Sequence, residues 1–255
     1  MKKEEAIIIF LLFFISGCSE EPASSENSED DFRFITANPL NLSQIQRISL
    51  FRSCIGHDYS GLNQEGEKET LRSMKHYIEP LPSLVGTDRV QIFAPFDGEI
   101  AEMEDLPPGK LIYIDAKANF GWRFVFFHVI PTAGLEDGSE VQAGELIGTA
   151  SPEIHNFDIA LKHFGWKGQT FDSPFLHFTQ PVLEEYATWG LTPENSILSK
   201  LTRDAQPCPV EGTLNRDARF IGYKDEDFVV LKILSIMPVM KEKVSSEILE
   251  TDANQ

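Results

Sequence analysis

Two stretches decide the fold of this chain: Ala94-Pro95-Phe96-Asp97-Gly98-Glu99-Ile100 and, further on, Gly138-Ser139-Glu140-Val141-Gln142-Ala143-Gly144-Glu145-Leu146-Ile147-Gly148. In the first stretch, Pro-Phe-Asp-Gly is a turn signal that precedes an alternation of polar and apolar residues, which is typical of a strand. Between the two stretches, residues 111–114 and 122–129 are rich in aromatic and β-branched residues and predict further strands. Short strands at this spacing predict a mainly β protein, built as an antiparallel sandwich or barrel.

The order of these stretches along the chain is similar to that in a known group of β folds. With Phe127-His128-Val129 between them, they resemble the barrel-sandwich hybrid, or duplicated hybrid motif. Within that group the chain is most similar to the lysostaphin/LytM-type zinc endopeptidases of peptidoglycan, over roughly residues 50–160. The resemblance implies a LytM-like antiparallel β domain over residues 32–165, followed by a small mixed α/β extension.

The resemblance also implies where a zinc site would lie. His76 matches the family's first metal ligand, with Glu79 as the nearest carboxylate, and His128 matches a catalytic histidine. Asp158 stands at the family's glutamate, but Asn156 stands where the family has its second histidine ligand. Histidine and carboxylate are acceptable zinc ligands, so an atypical zinc site of His76, Asp158 and either His128 or His57 stays open. The degenerate motifs nevertheless favour a module that is not an enzyme.

Three further polar residues are candidates for contacts with a ligand. His57 and Asp58 are adjacent and precede an acidic loop, so Asp58 is a candidate to orient His57 at the edge of a cleft. The alternative is an ordinary hydrogen bond within a loop. Arg72 is a candidate to pair with a carboxylate in the cleft, or with one of the many surface acids.

The N-terminus predicts a lipid anchor. Residues 6–15 are an unbroken apolar run of about 15 Å as a helix, which is the length of a signal peptide and too short to span a bilayer. Ile15-Ser16-Gly17-Cys18 resembles a bacterial lipobox, which implies a signal peptide over residues 1–17 and acylation of Cys18 as a membrane anchor. Residues 18–31 are acidic and carry no large apolar side chain, so they predict a disordered tether. The expected location is the outer membrane, facing the periplasm, if the host has two membranes.

Two cysteines remain after the anchor. In an exported protein Cys54 and Cys208 are able to form one disulfide, and two unpaired buried thiols are the alternative. The sequence leaves this choice open.

The C-terminal third has a different pattern. Residues 181–189 have apolar residues at helical spacing and are followed by Gly190, and Thr192-Pro193 signals another helix start. Residues 228–234 predict a late strand. We expect an accessory region over residues 166–240 and a flexible tail over 241–255.

The charge balance excludes one class of partner. The chain has 22 Lys and Arg against 40 Asp and Glu, a net charge of −18, with no basic stripe that a nucleic acid would require.

Together, these features of the sequence predict a membrane-anchored envelope lipoprotein that binds or regulates peptidoglycan or an envelope protein without catalysis. The alternatives are an atypical zinc metalloendopeptidase acting on cell-wall peptides and an envelope module that binds a small molecule or sugar.

Overall fold

The computed structural model describes residues 32–211 and 219–232. The predicted signal peptide, Cys18, the predicted acidic tether and the predicted C-terminal tail all lie outside these residues. The described strands are β1 Ile45–Ser49, β2 His76–Pro80, β3 Gln91–Phe93, β4 Gly98–Asp105, β5 Lys110–Ala116, β6 Trp122–Pro131, β7 Glu140–Val141, β8 Leu146–Ala150, β9 Phe157–Gly165, β10 Gly168–Asp172 and β11 Phe228–Val230. The α-helices are α1 Gln180–Thr188, α2 Pro193–Ser196 and α3 Lys200–Ala205.

All strand pairs in this set are antiparallel, and they form one sheet in the order β11-β1-β2-β9-β6-β5-β4-β7. Strand β10 pairs with β9, and β3 joins through β8 to the end of β6. The expected mainly β, antiparallel fold is confirmed, and the strands predicted from the two deciding stretches and from the residues between them are present.

The two faces of the sheet have different compositions. Because side chains alternate along a strand, paired residues in neighbouring strands point to the same side. One face forms the main core, with a fully buried row across β4, β5, β6 and β9: Ile100, Ile114, Phe124 and Leu161. The opposite face carries Tyr77, Phe127 and Asp158 in one row and Arg123, Lys162 and Phe171 in another. We call it the cleft face.

The C-terminal region closes the main core. Helix α1 has Pro181 in its first turn and is followed by Gly190 at a φ of +84°, which ends the helix as its sequence predicts. It buries Val182 and Tyr186, and the Tyr186 ring stacks on Phe178 with centroids 5.0 Å apart. Burying side chains of this size contributes about 1.5–3 kcal/mol each.

The sheet continues past the expected domain boundary at residue 165. That position ends β9, and β10 pairs back onto it as the second strand of a hairpin. Strand β11 pairs with β1, so the late strand expected over 228–234 is part of the same sheet at Phe228–Val230. Within the described ranges, the helices are all too short or too polar to cross a bilayer.

Candidate functional site

A buried ion pair lies at the centre of the cleft face. Lys75 directly precedes β2 and Asp158 is the second residue of β9; their side chains are each 3% exposed and form a salt bridge through Lys75 Nζ and Asp158 Oδ2. Among the described residues, Oδ2 receives no hydrogen bond from another group. Lys75 is therefore what compensates the charge of this carboxylate.

Aromatic rings enclose the ammonium. Lys75 Nζ lies 4.3 Å from the ring centroid of Phe127, 4.7 Å from that of Tyr59 and 4.8 Å from that of Tyr77. Ring faces attract a cation, and this attraction strengthens where water is excluded. The rings and Asp158 together hold the charged amine in a place that solvent scarcely reaches.

His57 completes the surroundings of Lys75. Its Nε2 lies 3.4 Å from Lys75 Nζ, and its Nδ1 lies 3.2 Å from the backbone oxygen of Asp58. Burial and the charge of Lys75 lower the pKa of His57, so the imidazole is neutral at pH 7. A neutral ring that donates from Nδ1 to the carbonyl accepts from the ammonium at Nε2.

Asp58 contacts His57 through its backbone, and its carboxylate has other partners. It accepts a hydrogen bond from Ser60 Oγ at 2.6 Å and lies 3.4 Å from the backbone nitrogens of Leu71 and Arg72. The expected arrangement, in which the Asp58 side chain orients His57, is replaced by a carboxylate that braces a loop.

The structure does not bring the predicted zinc ligands together. Tyr77 is paired with Asp158 across β2 and β9, so His76, one residue before Tyr77, points to the opposite face. There His76 is fully buried: its Nδ1 lies 2.7 Å from Ser49 O and its Nε2 lies 2.8 Å from Ser173 Oγ, so both nitrogens are engaged. Burial lowers the pKa of His76 to about 4, which keeps it neutral.

The other candidates for the zinc site are also occupied elsewhere. Glu79 forms a bidentate pair with Arg47 on β1, at 2.6 and 3.2 Å. The Nδ1 atom of His128 lies 3.2 Å from Pro108 O, and His128 itself has a backbone φ of +60°. Within residues 32–211 and 219–232, no group of three or more His, Cys, Asp or Glu residues is placed to hold a metal ion. The residues present therefore do not fit a zinc site.

Arg72 lies outside the cleft. It is buried and donates to Glu69 at 2.7 Å and to Asp204 at 2.5 Å, which ties the loop before β2 to helix α3. Cys54 and Cys208 form a disulfide that links the same two parts of the chain. Both features position the loop that carries His57 and Tyr59.

An open cleft of about 670 Å³ lies beside the ion pair. It is lined by one loop and two strands of the cleft face: His57, Asp58, Tyr59, Ser60, Gly61, Leu62, Lys162, Gln169 and Phe171. Two other pockets of several hundred cubic ångströms lie at the disulfide and beside α1. Neither is lined by the groups around Lys75, whereas the open cleft shares His57 and Tyr59 with them. We take the cleft at Lys162 as the candidate site because it joins charged, polar and aromatic groups.

Two lysines of this site, Lys75 and Lys162, are not among the residues predicted from the sequence. Lys75 is adjacent to the predicted metal ligand His76, and Lys162 lies four residues after Asp158 on the same strand. Strand alternation places Asp158, Ala160 and Lys162 on one face, so this signal was present in the sequence.

Solved structures similar to this chain include a protein described as a glycyl-glycine endopeptidase LytM from Ruminococcus gnavus, at 20% identity and a TM-score of 0.33. The similarity covers 40% of this chain and 43% of that protein, so this chain spans less than half its length. Lysostaphin is similar at 16% identity and a TM-score of 0.31, over 50% of this chain and 54% of lysostaphin. A chain of the SpoIIQ–SpoIIIAH pore-forming complex is similar at 13% identity and a TM-score of 0.39, over 61% of this chain and 97% of that one.

Lysostaphin and the LytM protein belong by name to the group that the sequence motifs resemble. At these identities and TM-scores the similarity transfers neither an activity nor a ligand to this chain. Comparison with family models and with curated proteins gives no match.

Proposed function

We propose that this chain is a non-catalytic binding module of the cell envelope, held at a membrane through an acylated Cys18, whose cleft takes up a segment of peptidoglycan. The observation that carries the proposal is the buried pair of Lys75 and Asp158. A hydrolytic zinc site needs about three protein ligands and an open position for water. Here the ammonium supplies the positive charge next to Asp158.

The neighbouring groups support binding without hydrolysis. His57 is neutral and its two nitrogens face Lys75 and a backbone carbonyl, while His76 and His128 are engaged elsewhere. None of these histidines is thereby presented to the cleft as a free general base. The cleft beside them is open to solvent, so a ligand can enter it.

The lining of the cleft suits a segment that mixes apolar and polar groups. Tyr59 and Phe171 offer ring surfaces, with their centroids 5.3 Å apart, and Gln169 offers an exposed amide. Ligand pockets of about 300–1,000 Å³ typically combine apolar walls with a few polar groups that fix orientation. The glycan and peptide parts of peptidoglycan provide both kinds of surface.

The test is retention of the purified full chain, in mild detergent, on isolated peptidoglycan. We expect retention, no release of soluble fragments with or without added zinc, and less than about a tenth of an equivalent of bound zinc after dialysis. Gln169→Trp fills the cleft and should abolish retention. Gln142→Trp, which adds the same ring at an exposed turn away from the cleft, should not.

Three results would overturn this proposal. Zinc-dependent release of fragments that a chelator stops would favour the zinc endopeptidase. Equal retention of the Gln169→Trp and Gln142→Trp variants would place binding outside the cleft. A chain that binds soluble sugars but not peptidoglycan would favour the alternative sugar-binding module.

A further inference from the structure

Lys162 is a cation in the cleft without a counter-ion. It lies on β9, paired with Arg123 of β6 and Phe171 of β10 in the same row of the cleft face. Among the described residues, no carboxylate lies within 4 Å of its amine and no group accepts a hydrogen bond from it. Nearby cations differ in this respect, because Lys75 pairs with Asp158 and Arg123 pairs with Asp115 at 2.5 and 2.8 Å.

The surroundings of Lys162 are aromatic. Its Nζ lies 5.2 Å from the ring centroid of Tyr113 and 5.9 Å from the centroids of Tyr59 and Phe171. These rings remove part of the water from around the amine. Burial, followed by the charge of Arg123, lowers the pKa of Lys162, and Glu104 opposes this from beyond ion-pair distance. An anion that entered the cleft would compensate a charge that the protein leaves uncompensated.

Lys162 is the cation that lines the cleft, and among the described residues no carboxylate lies within ion-pair distance of its amine. The pairs Lys75–Asp158 and Arg123–Asp115 are each neutral overall, and His57 is neutral. The carboxylate of Asp58 also lines the cleft, but it already accepts hydrogen bonds from Ser60 and lies against the loop backbone. The cleft therefore combines one free ammonium, apolar ring walls and the exposed amide of Gln169.

We propose that Lys162 binds the terminal carboxylate of a peptide, while the residues next to that carboxylate pack against Tyr59 and Phe171. A terminal carboxylate fits because it is a small anion at the end of an uncharged chain, and the cleft provides one cation followed by apolar walls. This inference deepens the proposed function, since it names the part of a peptidoglycan segment that the cleft would recognise.

The test compares acetyl-Ala-Ala-Ala as a free acid with the same peptide as a C-terminal amide, by calorimetry on the full chain. We expect the acid to bind about ten- to a hundredfold more tightly, as for a hydrogen bond to a charged group, and to weaken as salt is added. Lys162→Met should reduce binding of the acid to the level of the amide and leave binding of the amide unchanged. Lys162→Arg should retain most of the preference.

Two controls separate binding from folding. Lys117→Met removes an exposed lysine that pairs with Glu140 far from the cleft, and it should leave both affinities unchanged. Thermal unfolding of Lys162→Met should occur at the wild-type temperature or above it, because the variant loses an unpaired, partly desolvated charge. A purely structural role for Lys162 would lower that temperature.

The outcomes distinguish this inference from the proposed function. Equal affinity for acid and amide, a preference that survives in Lys162→Met, or no binding of either peptide at millimolar concentration would overturn the inference. If peptidoglycan is still retained in that case, the proposed function stands. If the acid binds as expected but peptidoglycan is not retained, the carboxylate site stands and the proposed function fails.

Discussion

Replacing Lys75 by methionine removes the ammonium beside Asp158 and keeps a side chain of similar length. The variant then has a carboxylate that is 3% exposed, with no described group donating to its Oδ2 atom. Removing one partner of a buried ion pair typically costs about 3–5 kcal/mol, because the remaining charge is left uncompensated. We expect a loss of that size, to which the lost contacts with the rings of Phe127, Tyr59 and Tyr77 contribute.

The assay is urea unfolding of the full chain in mild detergent at pH 7, for wild type, Lys75→Met, Asp158→Asn and the double variant. The double variant removes both charges, so it should be at least about 2 kcal/mol more stable than the sum of the two single losses implies. Lys117→Met, at an exposed pair with Glu140, is the matched control and should leave the unfolding midpoint unchanged.

A loss below about 1 kcal/mol for Lys75→Met, or additive losses in the double variant, would refute the reasoning that this pair is buried and coupled.

Three further predictions concern other parts of the fold. The pKa of His76 is lowered to about 4 in the folded chain, against about 6.5 in the unfolded chain. Its contribution to the free energy of unfolding is therefore complete above pH 6.5, and about 3 kcal/mol of it is lost as the pH falls towards 4. The urea midpoint should fall more with pH in wild type than in His76→Gln, and equal falls would contradict this. Gly56→Ala should lower the free energy of unfolding by more than about 1 kcal/mol, since Gly56 has a φ of +78° and an added Cβ would overlap the Tyr77 hydroxyl; an unchanged melting temperature would disprove it. Replacing both Cys54 and Cys208 by alanine should lower the free energy of unfolding by about 2–5 kcal/mol, because their disulfide closes a loop with a sequence separation of 154. Urea unfolding of that variant measures this loss, and unchanged stability would count against a stabilising bridge.

The fold class was predictable because it depends on local patterns. Turn signals at Pro95-Phe96-Asp97-Gly98 and aromatic, β-branched runs such as Trp122–Pro131 mark where strands begin and end. Helix α1 was predictable for the same reason, from apolar spacing followed by Gly190. These features act within a few residues of each other.

The site was less predictable because it depends on which face of a strand is buried. His76 and Lys75 are neighbours, so one points to the core and the other to the cleft face. The resemblance to LytM-type peptidases implied that His76 is the residue at the site. The register that pairs Tyr77 with Asp158 decides the matter and sends His76 into the core. A shift by one residue would reverse the two roles.

Local patterns in the sequence are enough to establish an acidic, mainly β chain with short strands, in which Asp158, Ala160 and Lys162 share one face. The folded structure is needed to establish that Lys75 neutralises Asp158, that Cys54 is joined to Cys208 and that Lys162 has no described counter-ion. The difference lies in distance along the chain. Alternation and turn signals act between near neighbours, whereas these contacts join segments that meet only when the sheet assembles.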